Sequence, residues 1–185
     1  NGDIPCVNDS TFNIAPTSEE LINYADQIGV ITKKIVLSDS GYRKFRNNKF
    51  ELFVDVGNVG PPYQPGHVHS DTLSFILHVK NTPVFVDTGV STYEKNEKRQ
   101  TERQTSGHNT VVINGEDQTE VWGGFRVAKR AQIISLKEGI DYVQAEHDGY
   151  KNLGVRHLRR FVIGNSRIQI VDEIINNASY VQTAY

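Results

Sequence analysis

The chain has 185 residues, with 20 Lys and Arg against 22 Asp and Glu, a formal net charge of −2 and 37% hydrophobic residues. That length suits one domain, or one domain with a short appendage, and suffices to bury a core. The near-neutral charge gives no reason to expect nucleic acid or an anionic membrane as a partner, and no apolar run is long enough to span a bilayer.

The start, Asn1-Gly2-Asp3-Ile4-Pro5-Cys6, has no basic region followed by an apolar stretch, so no signal peptide is visible. The chain lacks Met entirely and stops at Tyr180-Val-Gln-Thr-Ala-Tyr185, strand-like residues without a closing turn. It therefore reads as a piece of a longer protein, with any export signal or N-terminal domain out of view. A lone Cys6 forms no internal disulfide and leaves the redox compartment open.

Residues 1–16 carry Pro5, Pro16 and a polar composition, and are expected to be irregular. Thr17-Ser18-Glu19-Glu20 fits a capping box. Leu21, Ile22, Tyr24, Ala25 and Ile28 follow at helical spacing, with Gly29 as a stop, so one short helix is predicted. After Val30 the pattern changes. Phe50 to Val56, Thr72 to Val79, Pro83 to Val86, Asn109 to Ile113, Arg126 to Leu136, Tyr142 to Glu146, Leu158 to Ile163 and Ile168 to Ile174 are short and rich in β-branched or aromatic residues. Turn formers such as Asn114-Gly115 and Gly164-Asn165-Ser166 separate them. Many short strands without long intervening helices predict an all-β fold, an antiparallel sandwich or barrel. Lys95 to Arg103 is polar and is expected to be a solvated loop or helical turn.

The chemistry concentrates in two segments, Gly66-His67-Val68-His69-Ser70-Asp71 and Gly107-His108-Asn109-Thr110, with Asp87-Thr88-Gly89 ending an apolar run between them. Imidazole nitrogens and a carboxylate are what a divalent metal such as zinc takes, so His69, Asp87 and His108 form a candidate set. Asp87 ends Val84-Phe85-Val86, and a carboxylate at the end of a buried strand is costly unless a cation or several donors meet it. The plainer alternative is that Asp87 caps the turn through the Thr88 and Gly89 amides and the histidines are satisfied by hydrogen bonds. A His-x-His pair also starts the cupin metal motif, but Leu73 and Ser74 stand where that motif requires Glu. His67 and His69, two apart, point to one face of an extended segment, so one could bind metal while the other meets substrate. His78 and His157 read as structural, and His147 is undecided. Trp122 with Arg126, Lys129 and Arg130 could stack a sugar and meet its carboxylate, although Trp122 could equally pack at the core edge with the cations facing water.

In order, Gly66 to Phe75, Pro83 to Gly89, Tyr93, and Arg103 to Val112 resemble the heparinase II/III-like family of bacterial polysaccharide lyases. Val121 to Phe125, His147 to Tyr150, Arg159-Arg160 and Val171 to Ile174 continue the likeness. The resemblance implies a large antiparallel β-sandwich of the supersandwich type over 31–185, truncated here. Residues 1–30 would then be the link from an absent N-terminal α/α toroid. It implies zinc at His69, Asp87 and His108, and a cleft-facing catalytic role for His67, with Tyr93 and Arg103 near the site. Trp122 and Arg126 would meet the substrate, an anionic uronic-acid polysaccharide, in a periplasmic or secreted enzyme. The implied reaction is β-elimination, with the carboxylate-neutralising Asn or His and the principal Tyr supplied largely by the toroid, so this chain alone would be an inactive half-site. Two other functions fit the sequence: a sandwich that grips polysaccharide, or serves its assembly, without cleaving it, and a domain whose metal only staples strand ends together.

Overall fold

The computed structural model describes residues 4–31, 38–176 and 181–184. The predicted helix is present as Ser18–Gln27 (α1). Thr17 Oγ1 accepts from the Glu20 amide and the Glu20 carboxylate accepts from the Thr17 amide, which is the expected capping box. No residue of α1 is buried, and Leu21, Ile22, Tyr24 and Ile28 stand exposed.

Two antiparallel meanders make the body. Tyr42–Arg46 (β1), Phe50–Asp55 (β2), Phe75–Val79 (β3) and Thr82–Phe85 (β4) form a four-stranded sheet in chain order. The connection that follows holds helix Glu97–Arg103 (α2) and a hairpin of Glu120–Trp122 (β5) and Arg126–Ala128 (β6). Ile133–Glu138 (β7), Tyr142–His147 (β8), Val155–Ile163 (β9), Ile168–Asn176 (β10) and Val181–Ala184 (β11) then form a five-stranded sheet, again in chain order. The expectation for Tyr180 and Tyr185 lies outside the described residues.

Alternation explains how the sheets meet. Phe50, Leu52 and Val54 point inward along β2 while their neighbours are half exposed, and Val143 and Ala145 do the same on β8. With Phe75 and Phe161 they form one buried cluster spanning both sheets. That is the expected sandwich.

Several local expectations differ. β1, with the sequence Tyr-Arg-Lys-Phe-Arg, has no strong strand signal. It forms because β2 offers an antiparallel partner, a stacked Tyr42–Phe53 pair and a Lys44–Glu51 ion pair. Asn109 to Ile113 is not a strand, apart from an isolated bridge at Ile113, because the Asn109 and Thr110 side chains bond carbonyls of other segments. Arg126 to Leu136 breaks into β6 and β7 at Lys129, whose φ is +43°. Thr72 and Leu73 precede β3, Leu73 with φ +64°. Val84, Phe85 and Val86 are exposed rather than buried, on an edge strand that tolerates Pro83 because an edge need not donate every amide. Lys95 to Arg103 is only partly solvated, since Arg99, Glu102 and Arg103 on α2 are buried.

Candidate functional site

The fold brings together the three residues singled out as metal ligands. His69 lies in the β2–β3 connection, Asp87 just past β4, and His108 after α2, and one ligand atom from each lies within 4.8 Å of the others. A lattice of buried polar bonds fixes these segments. Ser70 Oγ meets Thr105 Oγ1 at 2.7 Å, and the Gln118 side-chain amide donates to the Ser70 and Thr72 carbonyls. Asn109 donates to the Phe75 and Val86 carbonyls at 2.9 and 2.8 Å, tying the His108 loop to the ends of β3 and β4. Gly107 is required by crowding, since a Cβ there would collide with the Thr101 carbonyl oxygen.

Arg159 on β9 adds a clamp from the opposite sheet. Its Nη1 donates to the Leu73 carbonyl at 2.8 Å and the Asn109 carbonyl at 2.6 Å, while Nε and Nη2 engage both oxygens of Asp172 on β10. Asp172 also accepts from His157, which in turn meets His147 at 3.1 Å. Burial tends to raise the Asp172 carboxyl, but the His157 and Arg159 hydrogen bonds outweigh it and hold the pKa at about 2. Both histidines are pushed down, chiefly by burial. His157 is therefore structural, as expected, and His147 joins it.

The donor set fits a divalent cation. His69 Nδ1 and His108 Nε2 are both buried with no hydrogen-bond partner among the described residues. Two unshared imidazole lone pairs beside a carboxylate are what such an ion takes. Asp87 also caps its turn, as the plainer alternative requires. Its Oδ1 accepts from the Gly89 amide at 3.2 Å, and its Oδ2 meets His108 Nδ1 at 2.9 Å. Nearby charge favours a cation too. Burial, and secondarily Asp87, pushes Asp71 up, and an oxygen of Asp71 is buried without a partner among the described residues. Burial and Asp71 push Asp55 well up. Burial tends to lower His108, but Asp87 and Asp71 raise it on balance.

His67 sits beside this cluster, with its side chain 55% exposed. Its ring lies 6.0 Å from Tyr93 and 5.7 Å from Phe125, centre to centre, so Tyr93 is indeed near it. An unforeseen residue holds both histidines. Asp9 accepts from His67 Nδ1 at 2.8 Å and from His69 Nε2 at 2.9 Å, and the Arg99 guanidinium bonds both of its oxygens. Burial would raise the Asp9 carboxyl, but the His69, Arg99 and His67 hydrogen bonds prevail and bring it to about 2. Asn8 and Asp9 lie in a segment expected to be irregular, 58 to 61 positions from the histidines, with no motif to mark them. Arg99 is hidden in a polar stretch, and only the helical spacing of Arg99 and Arg103 could have shown a buried face.

Arg103 is fully buried, and its guanidinium donates to the carbonyls of Val68, Trp122 and Arg126. It braces the His67–His69 segment against the β5–β6 hairpin. Burial, aided by Arg99, lowers it to about 10. On that hairpin Trp122 is 40% exposed and the Arg126 side chain faces outward. An open cavity of about 720 Å³ runs from His67 past Gln64, Asn58 and Tyr42 to Asp55 and Asp71. None of the described helices is long and apolar enough to cross a membrane.

Comparison with known proteins places these features in a family. The family model "Heparinase II/III-like, C-terminal" matches residues 32–180. A heparin-sulfate lyase of Bacteroides stercoris is 33% identical over 149 residues, covering 75% of this chain and 20% of that protein. Among solved structures, heparinase III superposes with a TM-score of 0.69 at 19% identity, covering 96% of this chain and 31% of the other. The heparan sulfate lyase HepC of Pedobacter heparinus gives 0.57 at 19% identity, with 84% and 25% covered. The chain thus spans a fifth to a third of these relatives. With a family match over most of its length, this chain belongs to the heparinase II/III-like proteins and corresponds to their C-terminal region.

Proposed function

We propose that this chain forms the β-sandwich wall of a lyase that cleaves a glycosaminoglycan of the heparin or heparan sulfate type by β-elimination. The observation that carries the reading is His67: half exposed, bonded through Nδ1 to Asp9, and flanked by Tyr93 and Phe125 beside the candidate cation site. The heparin-sulfate lyase of Bacteroides stercoris supports the substrate class.

β-Elimination removes the weakly acidic C5 proton, which lies α to the uronate carboxylate, and protonates the departing glycosidic oxygen. With Nδ1–H donated to Asp9, the other ring nitrogen of the exposed His67 ring keeps its lone pair and is suited to take or hand over a proton. Tyr93 and Phe125 offer ring faces and edges for a pyranose beside it. Trp122 and Arg126 lie further along as sugar and anion contacts. A zinc ion at His69, Asp87 and His108 would supply fixed positive charge and rigidity to the floor of the site.

The rest of the reacting constellation comes from an N-terminal helical domain, to which residues 1–30 are the link and against which the exposed apolar side of α1 packs. In this proposal the chain alone contributes half a site, and the protein acts in the periplasm or outside the cell, where such polymers are met. The exposed Trp122 and Arg126 also suit a module that binds glycan without cleaving it. One experiment separates the two. With the intact protein and heparan sulfate, formation of unsaturated uronate is followed by absorbance. His67→Ala should lower kcat about 100-fold or more with little change in KM. No turnover by the wild type, together with retained glycan binding, would leave the binding module; an unimpaired His67→Ala would remove His67 from the chemistry.

A further inference from the structure

We propose that Asp9 is a positioning residue that sets the tautomers of His67 and His69 together, aiming one free nitrogen at the cleft and the other at the cation site. The inference rests on the proposed lyase reading for its consequence in catalysis, but its geometry and its first test do not.

Asp9 is 5% exposed and each of its oxygens receives two donors: Oδ1 from His69 Nε2 and Arg99 Nη1, Oδ2 from His67 Nδ1 and Arg99 Nη2. A carboxylate only accepts hydrogen bonds, so the facing nitrogen of each ring must carry the hydrogen. His67 is then the Nδ1–H tautomer and His69 the Nε2–H tautomer. The nitrogens left with lone pairs are His67 Nε2 and His69 Nδ1, and the latter is buried without a hydrogen-bond partner among the described residues. A carboxylate behind a ligating histidine is the usual means of fixing ring orientation and ligand basicity. Here one carboxylate serves two rings with different roles. Arg99, also buried, supplies the compensating positive charge, so neither ring has to provide it.

The segment bearing Asp9 is held in register on both sides. The Asn8 side chain accepts from the His69 amide at 2.9 Å and donates to the Tyr42 hydroxyl at 3.0 Å. The Val90 amide donates to the Ser10 carbonyl. Gly89, with φ +54°, lets that length of chain approach, since a Cβ would lie 2.5 Å from the Ser10 oxygen. An ion pair serving only to anchor the chain would need Asp9 and Arg99; it would not need both imidazoles.

The test uses the intact, metal-free protein labelled with 15N-histidine, in which long-range 1H–15N spectra report which ring nitrogen is protonated. Wild type should show His67 protonated at Nδ1 and His69 at Nε2; the reverse for either ring overturns the proposal whatever any variant does. Asp9→Asn keeps the shape but replaces one accepting oxygen by an amide donor, so one ring should change tautomer. If that ring is His69, zinc should bind about 10–100-fold more weakly; if it is His67, kcat should fall with KM nearly constant. Asp9→Glu should restore at least part of what is lost. Unchanged tautomers and zinc affinity in Asp9→Asn would reduce Asp9 to an anchor. If wild type shows the expected tautomers and zinc binding but no lyase activity, the functional reading fails while the positioning role stands.

Discussion

Arg159 is where this molecule is expected to be most sensitive away from the cleft. It is buried, bonds both oxygens of Asp172 at 2.6 and 2.9 Å, and caps the Leu73 and Asn109 carbonyls from the other sheet. Arg159→Met keeps most of the aliphatic stem and removes all four bonds. Breaking a buried pair by removing one partner costs about 3–5 kcal/mol, and a buried carbonyl left without a donor costs about 1–3 kcal/mol. These contributions overlap because His157 still bonds Asp172 and the Asp172 side chain is 16% exposed. A net loss of about 3–4 kcal/mol is expected, a large part of the stability typical of a domain. For a chain of this size that lowers Tm by roughly 6–16 °C. Urea unfolding of wild type, Arg159→Met, Asp172→Asn and the double variant gives the coupling, expected at about 2 kcal/mol. Because Leu73 holds a positive φ next to the His69 loop, Arg159→Met should also weaken metal binding. A loss below about 1 kcal/mol, or additive single variants, would refute the account of Arg159 as the clamp between sheet and site.

Acid should destabilise the protein through His147 and His157. Their folded pKa values lie below the ordinary value near 6.5, chiefly through burial, so the unfolded chain binds protons that the folded chain refuses. Their contribution is full above about pH 7 and declines as pH falls below about 6.5. His147→Gln should therefore flatten the fall of Tm between about pH 7 and 5, and an unaltered slope would count against it. Gly107→Ala should cost about 1–3 kcal/mol by forcing a methyl against the Thr101 carbonyl, read from urea midpoints; a neutral effect would show that the His108 loop shifts freely. Elemental analysis should find about one divalent ion per chain in wild type and almost none in His108→Ala. A strong chelator should lower the wild-type Tm and leave that of His108→Ala unmoved.

The sheets were legible where burial is one-sided. Phe50, Leu52 and Val54 alternate with the half-exposed Glu51, Phe53 and Asp55, and Val143 and Ala145 with Tyr142, Gln144 and Glu146, so period and packing agree. β1 was not legible because its charged sequence owes its form to β2. Asn109 to Ile113 misled because the residues that look extended are held by side-chain bonds to distant carbonyls, which no local pattern encodes. At the site, His69, Asp87 and His108 were found as a set because each lies in a short motif at a segment end. Asp9 was not, since its partners are sequence-distant and its own segment is irregular. Asp87 was singled out on a partly wrong premise: its side chain is buried, yet the strand before it is exposed.

Each sheet is a simple meander, every strand pairing only with its neighbours in the chain. Asp87, Tyr93, Arg99, Arg103, His108, Trp122 and Arg126 all fall between β4 and β7, the one long passage from the first meander to the second. His67 and His69 enter from the β2–β3 connection and Asp9 from the segment before α1, so the candidate site is closed by three stretches of chain none of which belongs to a ladder of the meanders. Changes in the β4–β7 passage would leave the ladders of the two described meanders untouched, except where Asn109 bonds the Phe75 and Val86 carbonyls at the ends of β3 and β4.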